Sequence, residues 1–102
     1  MKNAIQINEK DNVATVTSDI SSGEKIEVLS SNGKVILKIN ILEKIPFGHK
    51  IAIVDIKKDE KVVKYGEVIG IANRSMRLGD WVHTHNVESA AVPTSALKKE
   101  VV

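Results

Sequence analysis

The chain has 102 residues, enough for one domain around one core, and 42% of them are hydrophobic while only 3% are aromatic. Its net charge of +2 comes from 15 basic and 13 acidic residues mixed along the sequence, so neither a basic patch nor a base-stacking surface points to nucleic acid. The absence of Cys excludes a disulfide framework and thiolate chemistry and suits a reducing compartment; no apolar run approaches the ~18 residues of a membrane span, and Met1-Lys2-Asn3-Ala4 lacks a signal-peptide profile. A cytoplasmic location without a membrane or nucleic-acid partner is the expectation.

In chain order, Ala4-Ile5-Gln6-Ile7 reads as a short edge strand, followed by the turn-prone Glu9-Lys10-Asp11-Asn12. Val13 to Thr17 alternates and is β-branched, the pattern of a strand. Ser21-Ser22-Gly23 marks a turn, and Lys25–Leu29 and Lys34–Ile39 form a hairpin whose connection ends in Asn32-Gly33. Pro46 holds the residue before it extended. His49 to Ile56 reads as a strand with Ile51 and Ile53 on one face and Lys50 and Ala52 on the other. Val68 to Ala72 follows Lys64-Tyr65-Gly66, and Gly66 permits a bend there. Gly79-Asp80 is a turn and Trp81 to Val87 the last strand; 1–88 then form the domain, and 89–102 a tail that is either flexible or a short helix capped by Thr94. No internal repeat stands out. Short strands punctuated by turns, with no convincing long helix, indicate an all-β domain.

Chemistry concentrates in Trp81-Val82-His83-Thr84-His85-Asn86, which holds the only Trp and two of the three His. On a strand, His83 and His85 share one face with Cα atoms about 6–7 Å apart, close enough to reach one metal ion or one anion. The bland alternative is a pair of exposed strand residues. A complete metal site needs a further ligand, from His49 if the fold brings it near, or from Asp or Glu. Lys64 alone reads as a surface cation, as do His49-Lys50, while Tyr65 beside a glycine is placed to donate its hydroxyl to an anion. Arg74 and Arg77 read as solvated. There is no phosphate-binding glycine motif and no nucleophile elbow.

Three segments in order, Pro46-Phe47-Gly48-His49-Lys50-Ile51-Ala52, Val63-Lys64-Tyr65-Gly66-Glu67-Val68-Ile69-Gly70 and Gly79-Asp80-Trp81-Val82-His83-Thr84-His85-Asn86, resemble the N-terminal SAF-type domain of the altronate and galactarate dehydratases, the UxaA family of sugar-acid hydro-lyases. The resemblance runs from about Ile5 to Val87. It implies a β-clip fold, and dehydration of a sugar acid to a 2-keto-3-deoxy acid with a divalent metal, Fe2+ or Mn2+. Carried over residue by residue, it implies His83, His85 and Lys64 as catalytic groups, His83 and His85 as metal ligands, and His49, Tyr65 and Asn86 as substrate-binding groups. Long family members continue into a larger catalytic domain, so either that part is a separate large catalytic subunit or this chain is a fragment; the expectation is the small subunit of a two-chain dehydratase, partnered by a large catalytic subunit. The alternatives are a sugar-acid-binding SAF module without chemistry, the small subunit of a sulfolactate sulfo-lyase, and a structural homo-oligomer that pairs its strand edges.

Overall fold

Runs of alternating β-branched residues form the ladders of the computed structural model, which describes residues 1–89. Among these residues there are nine strands and no helix: β1 Asn3–Ile5, β2 Val13–Val16, β3 Lys25–Leu29, β4 Val35–Asn40, β5 Lys50–Ala52, β6 Lys61–Lys64, β7 Glu67–Ala72, β8 Trp81–Val82 and β9 Val87–Ser89. The all-β expectation holds. The expected tail lies outside the described residues from 90 onward.

One sheet runs β4-β3-β1-β2-β5-β8 and the other β6-β7-β9; every pairing is antiparallel except β1 with β3. The Asn32-Gly33 hairpin forms as expected, with Gly33 at φ 87°. β1 is not an edge strand. It sits between β3 and β2, where Ala4 pairs with both Val28 and Val16, and its small side chain is fully buried.

Two apolar clusters flank the middle of the larger sheet. One gathers Ile20, Ile26, Ile41, Ile45 and Ile51, the other Val13, Ile56, Val62, Met76 and Val82. On β5 and the residue after it, Ile51 and Ile53 enter the first cluster while Ala52 enters the second. Successive side chains point to opposite faces of a strand, so this central ribbon is buried on both sides.

The structure reveals a repeat that does not stand out in the sequence. Four turns share a seven-residue frame: Ile20 to Ile26, Ile45 to Ile51, Ile56 to Val62 and Met76 to Val82. Each begins with a buried apolar residue, and these pair across the fold as Ile20 with Ile45 and Ile56 with Met76. Each has positive φ at its fourth position: Gly23, Gly48, Asp59 and Gly79. In each, the fifth residue donates its N–H to the carbonyl of the second, from Glu24 to Ser21, His49 to Pro46, Glu60 to Lys57 and Asp80 to Arg77, at 2.9–3.1 Å. The repeat escapes a linear reading because only the apolar ends recur in all four turns, while the Gly at the fourth position and the carboxylate at the fifth each recur in three. At the fourth position an Asp replaces Gly once, as its short polar side chain tolerates the left-handed region.

In three of the turns the fifth side chain also caps the turn. Glu24 accepts the Ser21 N–H at 2.6 Å, Glu60 that of Lys57 at 2.7 Å, and Asp80 that of Arg77 at 2.9 Å. The second turn has Pro46, which carries no N–H, and His49 where the others place a carboxylate.

Candidate functional site

The freed imidazole of His49 meets the segment that follows the fourth turn. That segment is not the continuous strand expected from Trp81 to Val87. β8 stops at Val82, residues 83–86 turn, and β9 starts at Val87. The cause is Asn86, which is 4% exposed. Its Oδ1 accepts the His83 N–H at 2.9 Å, and its Nδ2 donates to the Trp81 carbonyl at 2.7 Å. The same side chain thus ends one strand and starts the next. His83 and His85 therefore do not share a strand face as expected.

Trp81 brings the imidazoles together instead. Half-buried against the first cluster, its ring lies 5.5 Å from His83 and nearly parallel to it at 7°; His85 is tilted at 5.3 Å and His49 at 5.5 Å. The rings of His49 and His83 are 4.8 Å apart. Trp81 Nε1 donates to His49 Nδ1 at 3.1 Å. Partial loss of hydration among these rings, then the positive charges of His49, Lys50 and His85, hold His83 below the ordinary imidazole value, so it favours the neutral form.

Lys50 sits at the start of β5, between Thr15 and Val82 in register. Burial, then the charge of Lys64, lowers its pKa. With His83, Thr84, Ile69, Val82 and Val87 it lines an open groove of about 320 Å³. Among the described residues neither lysine forms an ion pair; the salt bridges there are Lys2–Glu24 and Lys38–Glu27.

The bend that Gly66 was expected to allow forms, and Tyr65 lies within it. Lys64 pairs with Glu67 across a two-residue turn in which Tyr65 and Gly66 take φ 57° and 75°, the primed geometry that suits twisted hairpins. Buried Asp11 secures that turn by accepting the N–H groups of Tyr65 and Gly66 at 3.0 and 2.8 Å, together with that of Asn8 at 3.0 Å. The Lys64 ammonium lies 4.8 Å over the Tyr65 ring. Tyr65 lines a second depression, with Ile5, Phe47 and Gly48, rather than the groove at His83.

The structure therefore unites His49, His83 and His85 around Trp81, places Asn86 beneath them as a brace, brings Lys64 to bear only through its charge on Lys50, and sets Tyr65 apart. Trp81 was missed as a site residue, and Lys50 was expected to be a surface cation. The only Trp, lying beside the His-rich run, was the available signal for the first, and the place of Lys50 next to His49 was the signal for the second. The donor set does not fit a self-contained divalent-metal centre. Among the described residues no group of three or more His, Asp or Glu converges to hold an ion, and the carboxylate of Asp80, next to Trp81 in the chain, accepts the backbone N–H of Arg77.

Comparison with known proteins agrees with this arrangement of motifs. The family model described as the altronate/galactarate dehydratase SAF domain matches residues 2–90. Altronate dehydratase of Bacillus subtilis (strain 168) is 35% identical over 87% of this chain and 17% of its own length. Galactarate dehydratase (L-threo-forming) of Escherichia coli (strain K12) is 36% identical over 76% of this chain and 14% of its own. The alpha subunit of (2R)-sulfolactate sulfo-lyase from Chromohalobacter salexigens is 45% identical over 52% of this chain and 56% of its own. The chain thus spans about a sixth of the dehydratases it matches and about half of the sulfo-lyase subunit. With the match to the family model running almost from end to end of the described residues, the chain belongs to the altronate/galactarate dehydratase SAF-domain family.

Proposed function

We propose that this chain is the small, substrate-gathering component of a sugar-acid hydro-lyase whose large catalytic part is a separate subunit. The observation that carries the proposal is the cluster of His49, His83 and His85 around Trp81, next to a groove edged by Lys50, which has no acidic partner among the described residues. Dehydration of a sugar acid removes the proton next to the carboxylate and expels the 3-hydroxyl. His83, held neutral, is suited to take a proton. Lys50, with Lys64 behind it, offsets a carboxylate's charge. His85 completes the imidazole face, while Tyr65 stands outside it. Fe2+ or Mn2+, which polarises carboxylate and hydroxyl in such chemistry, belongs to the large subunit on this reading, because the described residues of this chain do not assemble a ligand set for it.

A second reading has an observation of its own. The relatives named as sulfolactate sulfo-lyase alpha subunits are matched over 56% and 67% of their length, far more than the dehydratases, so a sulfo-lyase small subunit remains the alternative substrate assignment. The test is to purify the chain with its stoichiometric partner from its own cells. The complex is then assayed for 2-keto-3-deoxy acid from altronate and galactarate, and for sulfite from sulfolactate. We expect dehydration by the complex, none by the chain alone, and at least a ~100-fold loss with His83→Asn, within the range general acid–base catalysis supplies. Full turnover by the isolated chain refutes the two-subunit reading. Sulfite release without dehydration transfers the assignment to the sulfo-lyase.

A further inference from the structure

The comparison among the four turns isolates one residue. In three of them a carboxylate at the fifth position is spent on closing the turn. In the remaining turn that task has been removed at both ends: Pro46 has no N–H to cap, and position 49 has no carboxylate to cap it. The backbone nonetheless keeps the common form. His49 N–H reaches the Pro46 carbonyl at 3.0 Å, and the His49 carbonyl accepts from Val16 at 2.9 Å. The turn thus closes without a fifth-position cap, its Phe47 N–H held by Asp19 Oδ1 at 2.8 Å instead, and the His49 ring is free for other work.

Trp81 then decides which work. An indole nitrogen can only donate, so the Nδ1 that receives it must be the unprotonated nitrogen of the imidazole. In the neutral ring the proton is therefore on Nε2.

We infer that His49 is a tautomer-locked hydrogen-bond donor, released from turn capping by Pro46 and set by the positioning residue Trp81, and that its Nε2–H binds an oxygen of a carboxylate or hydroxyl in the ligand of the site. The ligand class rests on the sugar-acid reading above; the tautomer does not. The assignment separates two imidazoles 4.8 Å apart by role, with His49 donating and neutral His83 free to accept. It also closes Nδ1 of His49 to any metal.

The test has a spectroscopic arm and a binding arm. Long-range 1H–15N spectra of the chain, taken above the pH at which its imidazoles titrate, should show His49 protonated on Nε2, and Trp81→Phe should turn that signal into a mixture of tautomers. Galactarate is then the binding probe. His49→Asn keeps an acceptor for Trp81 and has no group at the Nε2 position, whereas His49→Gln keeps a donor there. We expect His49→Asn to weaken binding at least ~10-fold and His49→Gln to restore most of it, as loss of one hydrogen bond to a charged group implies. Pro46→Ser with His49→Glu rebuilds the Ser21–Glu24 cap, so it should fold as stably as the parent while losing galactarate, which separates binding from structure. A dominant Nδ1–H tautomer in the parent chain overturns the proposal, as does His49→Asn binding the probe as tightly as the parent. If no form binds galactarate, or altronate tried in its place, while Nε2–H is observed, the sugar-acid reading fails and the locked donor is upheld.

Discussion

Asp11 is the side chain on which the β6–β7 hairpin, and with it Lys64 and the Ile69 wall of the groove, most depends. It is 5% exposed and its carboxylate accepts three backbone N–H groups, from Asn8, Tyr65 and Gly66. Asp11→Ala leaves those donors without their acceptor. Hydrogen bonds to a charged group contribute about 1.5–3 kcal/mol each, and a non-glycine residue in the left-handed region, here Tyr65, costs roughly 1–2 kcal/mol that the bonds offset. The full sum overstates the loss, because the turn lies at the surface and water reaches part of the exposed backbone. We expect a loss of about 3–5 kcal/mol, a large share of the roughly 5–15 kcal/mol available to a chain of this length. Urea unfolding followed by Trp81 fluorescence measures it. Asp11→Asn, which keeps an acceptor but not the charge, should fall between the two. A loss under ~1 kcal/mol for Asp11→Ala would refute the reasoning, since it would mean that water substitutes freely for the carboxylate.

Gly70→Ala would place Cβ 2.4 Å from Val87 Cγ1 and 2.6 Å from the Glu88 carbonyl oxygen, so β9 must move off β7; we expect about 1–3 kcal/mol of destabilisation and altered amide shifts through residues 83–87. His83 titrates below its ordinary value of 6.5, so the folded state binds fewer protons than the unfolded one in that window. Stability should therefore fall as pH drops from about 6.5 toward the lower folded value and level off beneath it, and His83→Asn should flatten that part of a melting-temperature profile. Asn86→Asp removes the donor to the Trp81 carbonyl and sets a carboxylate against it; roughly 2 kcal/mol should be lost, with Trp81 fluorescence shifted in the folded state as the turn loosens.

Where local chemistry suffices, the strands could be read from the residues alone. Lys25–Leu29 is bounded as expected, because its alternation and the Asn32-Gly33 connection both act within a few residues. The misreadings are those where a distant or single side chain decides. Trp81 to Val87 has strand-like alternation, yet one buried Asn86 amide outbids the ladder for the His83 N–H. Ala4 carries no mark of being interior, which follows from having strands on both sides. The site divides in the same way. The His-rich run announced itself, whereas the link from Trp81 to His49 spans 32 residues and depends on two turns of the same frame meeting across β5 and β8.

That shared frame explains how the fold can carry a reactive cluster without giving up its core. The apolar ends of the four turns, Ile20 with Ile45 and Ile56 with Met76, are buried to 2% exposure or less and anchor the two clusters. Their backbone bonds persist whether or not a carboxylate closes the turn. A cap contributes only about 1 kcal/mol, while losing a buried Ile to Ala costs about 2–5 kcal/mol, so the fifth position is a cheap place to exchange structure for chemistry. Position 49 has made that exchange. Its equivalent in the fourth turn, Asp80, has not, and by keeping its bond to Arg77 it fixes the start of β8 and hence the ring of Trp81. One turn supplies the imidazole, and the intact cap of the other holds the indole that orients it.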